Sequence, residues 1–543
     1  MSYGVAGNPR LDVEPSTSVE APAPFDLPSP EATLPPGVPG GGPLLTQGAP
    51  ALAAGRCPLG EAGADGVTPL ERALRDAVDG ARFDKVTDLE RVSGTAAANG
   101  ARSAPARIAH RPSVDVAVIA FPEGCPPAFA SAMSSREIGG TRINRLDPET
   151  LSMKGVRLRR WDQARWDAPD PPAPFTDDDD VVPPETDTAA VDFTVPYPAS
   201  VFKLLVAVKI LELVDRGALG IADPVVLGRR TRTIREWMAD MITVSDDEST
   251  RALVKKLHDA GEEAGTNALF AELGLSSLQI HGTSPETGRD WHPGRIHMSA
   301  WDTARLLWLL DPDAPSPAWK TPAGALVSAG FLGPESRRLL LELLGEQAFQ
   351  DALSTTALCR MPRTRRGIPA LMPERWIDRE GRPSVAIGRG VTDRLAAGDA
   401  GVPSDAEGAS VRECNAQAEV TFAHKTGLTE NFGSDAGIVR GIPGRARRHY
   451  IVSFFSNLGY RYTDADKASF ADPCHDLGIC YTQRIAALGA AIDGALRAAL
   501  EPRAPKEPPK PPPRRSPSSH GSAPARPILP TERAPAPAGR ANG

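Results

Sequence analysis

The chain has 543 residues, with 61 Lys plus Arg against 68 Asp plus Glu and a formal net charge of −7. Neither sign dominates, which argues against a nucleic-acid-binding surface, and no run approaches the ~18 apolar residues of a membrane span. The two ends, 1–66 and 501–543, hold 25 of the 55 prolines, so the length accommodates one large folded region between tails rather than several average domains.

Residues 1–66 are rich in Pro, Gly, Ala and Glu without periodicity, and 501–543 are Pro-rich and basic. Both are expected to be disordered, because they hold too few large apolar residues to offset the entropy of ordering them. The PPKPPPRR run of the tail is compatible with a polyproline II segment that docks a partner; a disordered spacer is the simpler reading. A helical lead-in is expected over 67–104, with Thr68 as N-cap and Pro69 at the first helical position. VDVAVIAF, residues 114–121, is β-branched and reads as a strand. The stretch 122–190 contains DPPAPFTDDDDVVPPETD and reads as a surface insertion, docked by Trp161 and Trp166 through packing.

Helical patterns dominate from 199 to 350. SVFKLLVAVKILELVDRG is apolar almost all round and should be a buried central helix. TIREWMADMI, ESTRALVKKLHDAG, SAWDTARLLWLLD and PESRRLLLELLGEQAF follow, the last two opened by Ser or Pro start signals. A second irregular insertion covers 355–417. Three strand-like runs come next, at 418–427, 434–441 and 449–457, with short connections that suggest an antiparallel meander. A final helix spans 474–500. This order implies an α+β fold: an antiparallel sheet flanked by helices, with an all-helical subdomain.

The N-terminus lacks a basic segment followed by an apolar one, so a cytoplasmic protein is expected from the sequence as written, or a secreted one if the start site is misassigned. The six cysteines, 57, 125, 359, 414, 474 and 480, show no metal-site spacing and are expected to be free thiols; a Cys474–Cys480 bridge is disfavoured.

Only 11 of the 61 basic residues are lysines, so a lysine at a chemically useful place is informative. Ser200 and Lys203 stand at i and i+3 on one helix face. Burial lowers a lysine's pKa, and a neutral lysine can deprotonate a serine within reach. The bland alternative is an N-cap serine with a snorkelling lysine. Ser245, Asp246 and Asp247 lie between two helical patterns, where a Ser-Asp capping turn would also fit. Lys425, Thr426 and Gly427 end a strand, which a turn would equally explain.

S-x-x-K at a buried helix start, S-D-[ND] between helices and K-T-G on a strand, in that order, resemble the signature set of class A serine β-lactamases and their penicillin-binding relatives. The resemblance covers most of 105–500, with both insertions outside it. It implies a β-lactamase/transpeptidase-like fold without metal or cofactor, acting on a small amide, ester or β-lactam, and a monomer is expected. It implies Ser200 as nucleophile, Lys203 as the base that takes its proton, and Ser245 as proton relay to the leaving nitrogen. The substrate carboxylate would meet Lys425 and Thr426 beside Gly427, and the backbone N–H groups of Ser200 and Leu428 would form the oxyanion hole.

Two departures matter. The family usually has Asn where this chain has Asp247; an ionised Asp has no donor for a substrate carbonyl. The family's E-x-x-L-N loop, whose Glu activates the deacylating water, is absent. In the matching region Glu286 and Asp290 are the carboxylates, with Glu286 the candidate base and a plain loop-surface role the simpler reading for each. His281, His292 and His297 in this loop match no zinc spacing, and His424 should point away from the face that Lys425 uses. The two insertions flank the motifs and are expected to narrow the cleft. A serine hydrolase is the leading reading. A D-alanyl-D-alanine peptidase and a non-hydrolytic member of the fold are the alternatives.

Overall fold

The structure, a computed structural model, describes residues 57–92, 105–183, 190–317, 319–359, 365–384, 410–464 and 482–501. Most of both tails, Cys474 and Cys480, the first residues of the expected last helix, and 385–409 of the second insertion lie outside them.

The centre is a six-stranded antiparallel sheet. Its strands are β1 (Val114–Ala120), β2 (Ala128–Ser134), β3 (Thr141–Ile143), β4 (Val420–Leu428), β5 (Gly433–Gly441) and β6 (His449–Ser456), in the order β4-β5-β6-β1-β2-β3. Register runs from Val420 opposite Gly441 to Leu428 opposite Gly433, and from Tyr450 opposite Ala120 to Ser456 opposite Val114. All seven residues of β1 are buried. Its alternate side chains feed two cores: Val114, Val116 and Val118 into one, Ala117 and Ile119 into the other. Each buried Val or Ile contributes roughly 1.5–3 kcal/mol, which explains why this short run is central.

One face is covered by α1 (Pro69–Ala81) and the C-terminal helix, Thr482–Leu500, through Leu70, Leu74 and Val78 against Leu488, Ile492 and Leu496. The N-terminus of α1 is closed by a capping box between Thr68 and Glu71. The other face carries the helical subdomain: α2 (Lys203–Asp215), α3 (Ile234–Thr243), α4 (Asp247–Asp259), α5 (Glu263–Glu272), α6 (Ala300–Leu310) and α7 (Pro334–Gly345). Every residue of α2 from Lys203 to Leu211 is buried, as its all-round apolar pattern requires. Among the described residues no helix is long and apolar enough to cross a membrane.

Four expectations are corrected. The stretch 122–190 is not wholly a surface insertion, because Ala128–Ser134 pairs with β1 along its full length. Its sequence, AFASAMS, has no β-branched residue; small side chains suit a crowded inner strand but carry little strand signal. The lead-in is helical only to Ala81: Val86–Val92 is a strand, paired with 105–107 and 462–464, partners that lie far along the chain for 462–464. The disorder expected for 1–66 does not hold over 57–66, where Leu59 is buried. Finally, four cysteines are not free thiols: Cys57 bonds Cys125 and Cys359 bonds Cys414. These partners are 68 and 55 residues apart, so only the tertiary fold brings them together.

The second insertion is anchored beside the start of β4. Ala370 bridges Val420, and the Leu371 N–H donates to the Val420 carbonyl at 2.8 Å. Asn415 bonds both the N–H and the carbonyl of Met372, and Cys359–Cys414 ties the two ends of this unit.

Candidate active site

Ser200 sits in a 3₁₀ turn, Ala199–Phe202, that leads directly into α2. In a 3₁₀ turn residues i and i+3 eclipse, so Ser200 and Lys203 stack on one side. The turn is entered through Ala199 at φ +47°, a left-handed conformation that a non-glycine residue holds at a cost of order 1–3 kcal/mol. Trp161, Tyr197, Phe432 and α2 pack into one core around it, with the Trp161 and Phe432 rings 5.0 Å apart. Trp161 thus docks its loop by packing, as expected.

Lys203 is fully buried. Its Nζ donates to the carbonyl of Ser245, to Ser245 Oγ at 3.2 Å and to Asp247 Oδ1 at 2.7 Å. Burial pulls its pKa below the usual lysine value, and Asp247 opposes that shift. Ser245 lies in the α3–α4 connection at φ +58°. Asp246 next to it caps α4, its carboxylate accepting from the Ser249 N–H at 2.6 Å. Lys425, on β4, reaches across to Ser245 Oγ at 3.0 Å and donates to the Thr426 carbonyl at 2.8 Å. Burial first, then the charge of Lys203, pushes the Lys425 pKa well down; Asp435, Asp351 and Asp247 push the other way.

The result is a continuous line of contacts, Asp247–Lys203–Ser245–Lys425. Ser245 Oγ takes a hydrogen bond from each lysine, which leaves its own O–H free to point elsewhere. Such a hydroxyl can hand a proton to a group in the cleft.

Gly427 brings β4 against the Ser200 turn. A Cβ there would lie 2.5 Å from the Pro198 carbonyl oxygen and 2.8 Å from the Ser200 nitrogen, so only glycine permits the approach. Leu428, the other oxyanion candidate, is the next residue along β4, and Thr426 precedes Gly427 and is buried. Ser200, Lys203, Ser245, Asp247, Lys425, Thr426, Gly427 and Leu428 are therefore gathered in one place.

Glu286 is not gathered with them. It is exposed, and its partner is Ser284 Oγ at 3.1 Å. Its loop is fastened outside α4 by Arg251, which donates to the Thr287 carbonyl. Asp290 is likewise exposed. What the loop does bring to the nucleophile turn is Trp291, whose ring lies 5.5 Å from Phe202 and whose carbonyl accepts from the Tyr197 hydroxyl. Nothing in the sequence marked Trp291 or Tyr197. His424 faces away from Ser245, as strand alternation requires, between Asp435 at 2.7 Å and Gln350 at 2.8 Å. His297 is buried and its pKa is pushed down to about 3 by burial. Among the described residues no three His, Cys, Asp or Glu side chains are placed to hold a metal ion.

Residues 192–362 match the model of the β-lactamase enzyme family. That segment contains Ser200, Lys203, Ser245 and Asp247, so the similarity to β-lactamase enzymes covers about a third of the chain, including these residues. Solved structures similar to the chain include PBP-A, 17% identical, covering 57% of this chain and 86% of that one with a TM-score of 0.32. A β-lactamase from Streptosporangium roseum is 15% identical, covering 56% and 84%, TM-score 0.32. A β-lactamase from Sphaerobacter thermophilus is 15% identical, covering 79% and 98%, TM-score 0.35. No curated protein matches the chain in sequence.

Proposed function

We propose that the protein is a serine hydrolase that works through an acyl-enzyme on Ser200, with an amide, ester or β-lactam as substrate. The observation that carries this reading is the double bridge of Ser245 Oγ by Lys203 and Lys425 beside the Ser200 turn. In the proposed reaction Ser200 Oγ attacks the carbonyl carbon while its proton passes to Lys203, directly or through a water. The N–H groups of Ser200 and Leu428 hold the oxyanion. The C–N bond then breaks, the nitrogen takes the Ser245 proton, and a lysine resupplies Ser245. A substrate carboxylate would be held by Lys425 and Thr426.

Glu286 lies away from this cluster, which supports slow deacylation and keeps the D-alanyl-D-alanine peptidase reading alive. The two disulfides favour that reading further. Such bonds persist in oxidising compartments, and we propose that the chain folds in one, where peptidoglycan would be within reach.

The test is intact-mass spectrometry after mixing with a penicillin, with Ser200→Ala as control. A stable adduct confined to the wild type supports slow acyl-enzyme chemistry. Ser200-dependent turnover without an adduct means rapid deacylation by another base. Neither adduct nor turnover, with a simple ester also inert, sinks the hydrolase in favour of a non-hydrolytic member of the fold.

A further inference from the structure

Asp247 begins α4 with its side chain 70% exposed, while the lysine it holds is 0% exposed. Its carboxylate is therefore the solvent-facing end of the line that runs inward through Lys203 and Ser245 to Lys425. Only Oδ1 is used, by Lys203; among the described residues no hydrogen bond is made to Oδ2. Neighbouring charges do not take up this second oxygen. Arg251 and Arg289 both pair with Glu248, and the Asp246 carboxylate is turned into the helix cap.

A solvent-facing carboxylate oxygen accepts and cannot donate. A substrate carbonyl placed there meets repulsion, whereas a protonated amine gains a charge-assisted bond, roughly twice as strong as a neutral one. The opposite end of the line is the buried Lys425 amine, held by Ser245 Oγ and the Thr426 carbonyl. The exposed end of the line beside the Ser200 turn is thus the Asp247 carboxylate.

Building on the acyl-enzyme reading above, we propose that the acyl portion of the preferred substrate carries a protonated amine, which Asp247 Oδ2 receives while Oδ1 stays on Lys203. The substrate class is then a zwitterion, with its ammonium on the acyl side and its carboxylate on the leaving side.

Ampicillin and benzylpenicillin provide the test, because they differ by one amino group on the acyl side chain. Acylation opens the lactam ring: the Ser200 O–C bond forms, the C–N bond breaks, and the ring nitrogen takes a proton. Rates of adduct formation are measured by intact mass for both compounds, in wild type and in Asp247→Asn, at a pH where the amine is protonated. A preference for ampicillin of roughly tenfold is expected in the wild type, and its loss in Asp247→Asn. The ratio cancels any shared effect of the substitution on Lys203. Equal wild-type rates, or a preference that survives in Asp247→Asn, overturn the proposal and leave the role of Ser200 standing. Acylation by neither compound overturns both.

Discussion

Lys203 and Lys425 donate to the same oxygen, Ser245 Oγ, at 3.2 and 3.0 Å. Two ammonium groups so close repel, and burial disfavours the charge on each. The arrangement lowers the barrier to losing one proton, which is what a base in this position needs. Replacing Lys425 by alanine removes the repulsion, so Lys203 holds its proton to higher pH. Acylation in Lys425→Ala is expected to fall by roughly 10²–10⁴-fold, with the rising limb of its pH–rate profile moved to higher pH. A drop in rate with an unmoved limb would show that the two lysines are not coupled through charge.

The same burial predicts a stability trend. The pKa values of both lysines are lowered in the folded state, so the unfolded chain binds more protons below the ordinary lysine pKa. Stability from these groups therefore rises with pH from their lowered folded values up to the ordinary value. Lys425→Met should raise the melting temperature at neutral pH while slowing acylation as Lys425→Ala does. A lower melting temperature in that variant would contradict the charge argument.

Asp115 titrates in the opposite sense. It is buried in β1, its Oδ2 accepts from the Ala300 N–H at 2.7 Å, and burial, with Asp302 adding to it, raises its pKa to about 7. A raised folded value means that stability is fully present below the unfolded pKa of 3.8 and is lost as pH rises to about 7. Asp115→Asn should therefore stabilise at pH 8 relative to wild type more than it does at pH 5. Thermal melts of both proteins at the two pH values decide this, and an identical difference at both would reject it.

Gly427→Ala places a methyl group against the Pro198 carbonyl and the Ser200 nitrogen. Both are backbone atoms that cannot rotate away. A destabilisation of about 1–3 kcal/mol is expected, with acylation reduced more than the melting temperature alone explains. By contrast Glu286→Gln should leave the adduct lifetime within about twofold, since the side chain bonds only to its own loop. A marked lengthening would restore Glu286 as the deacylation base.

The disulfides are directly measurable. Alkylation of the denatured, unreduced protein should leave Cys57, Cys125, Cys359 and Cys414 unmodified. Under reduction each bridge lost should lower stability by about 2–4 kcal/mol. Four alkylated thiols before reduction would remove the argument for an oxidising compartment.

The sequence made the proposed reacting groups legible because they are local in sequence or carry a rare residue. Ser200 and Lys203 are three apart on one turn, and Lys425 stands out in a chain poor in lysine. The helices were legible for the same reason, through caps such as Thr68 and Ser299 and through apolar periodicity. What was hidden is set by tertiary pairing. β2 is built mostly from Ala and Ser, with no β-branched residue, and its identity as a strand comes from lying against β1. The ion pair between Lys203 and Asp247 joins residues from separate helices, so Asp247 read only as a missing amide donor. Trp291 reaches the nucleophile turn through a loop path that no periodicity describes.

The close contact at Gly427 has a wider consequence. At this point the spacing between the sheet edge and the nucleophile turn is set by main chain meeting main chain, with no side chain interposed. An exposed neighbour of the turn, such as Asp247, can change without altering that spacing. A substitution at Asp247 is thus expected to alter what the site accepts while leaving the approach of Gly427 to Ser200 in place.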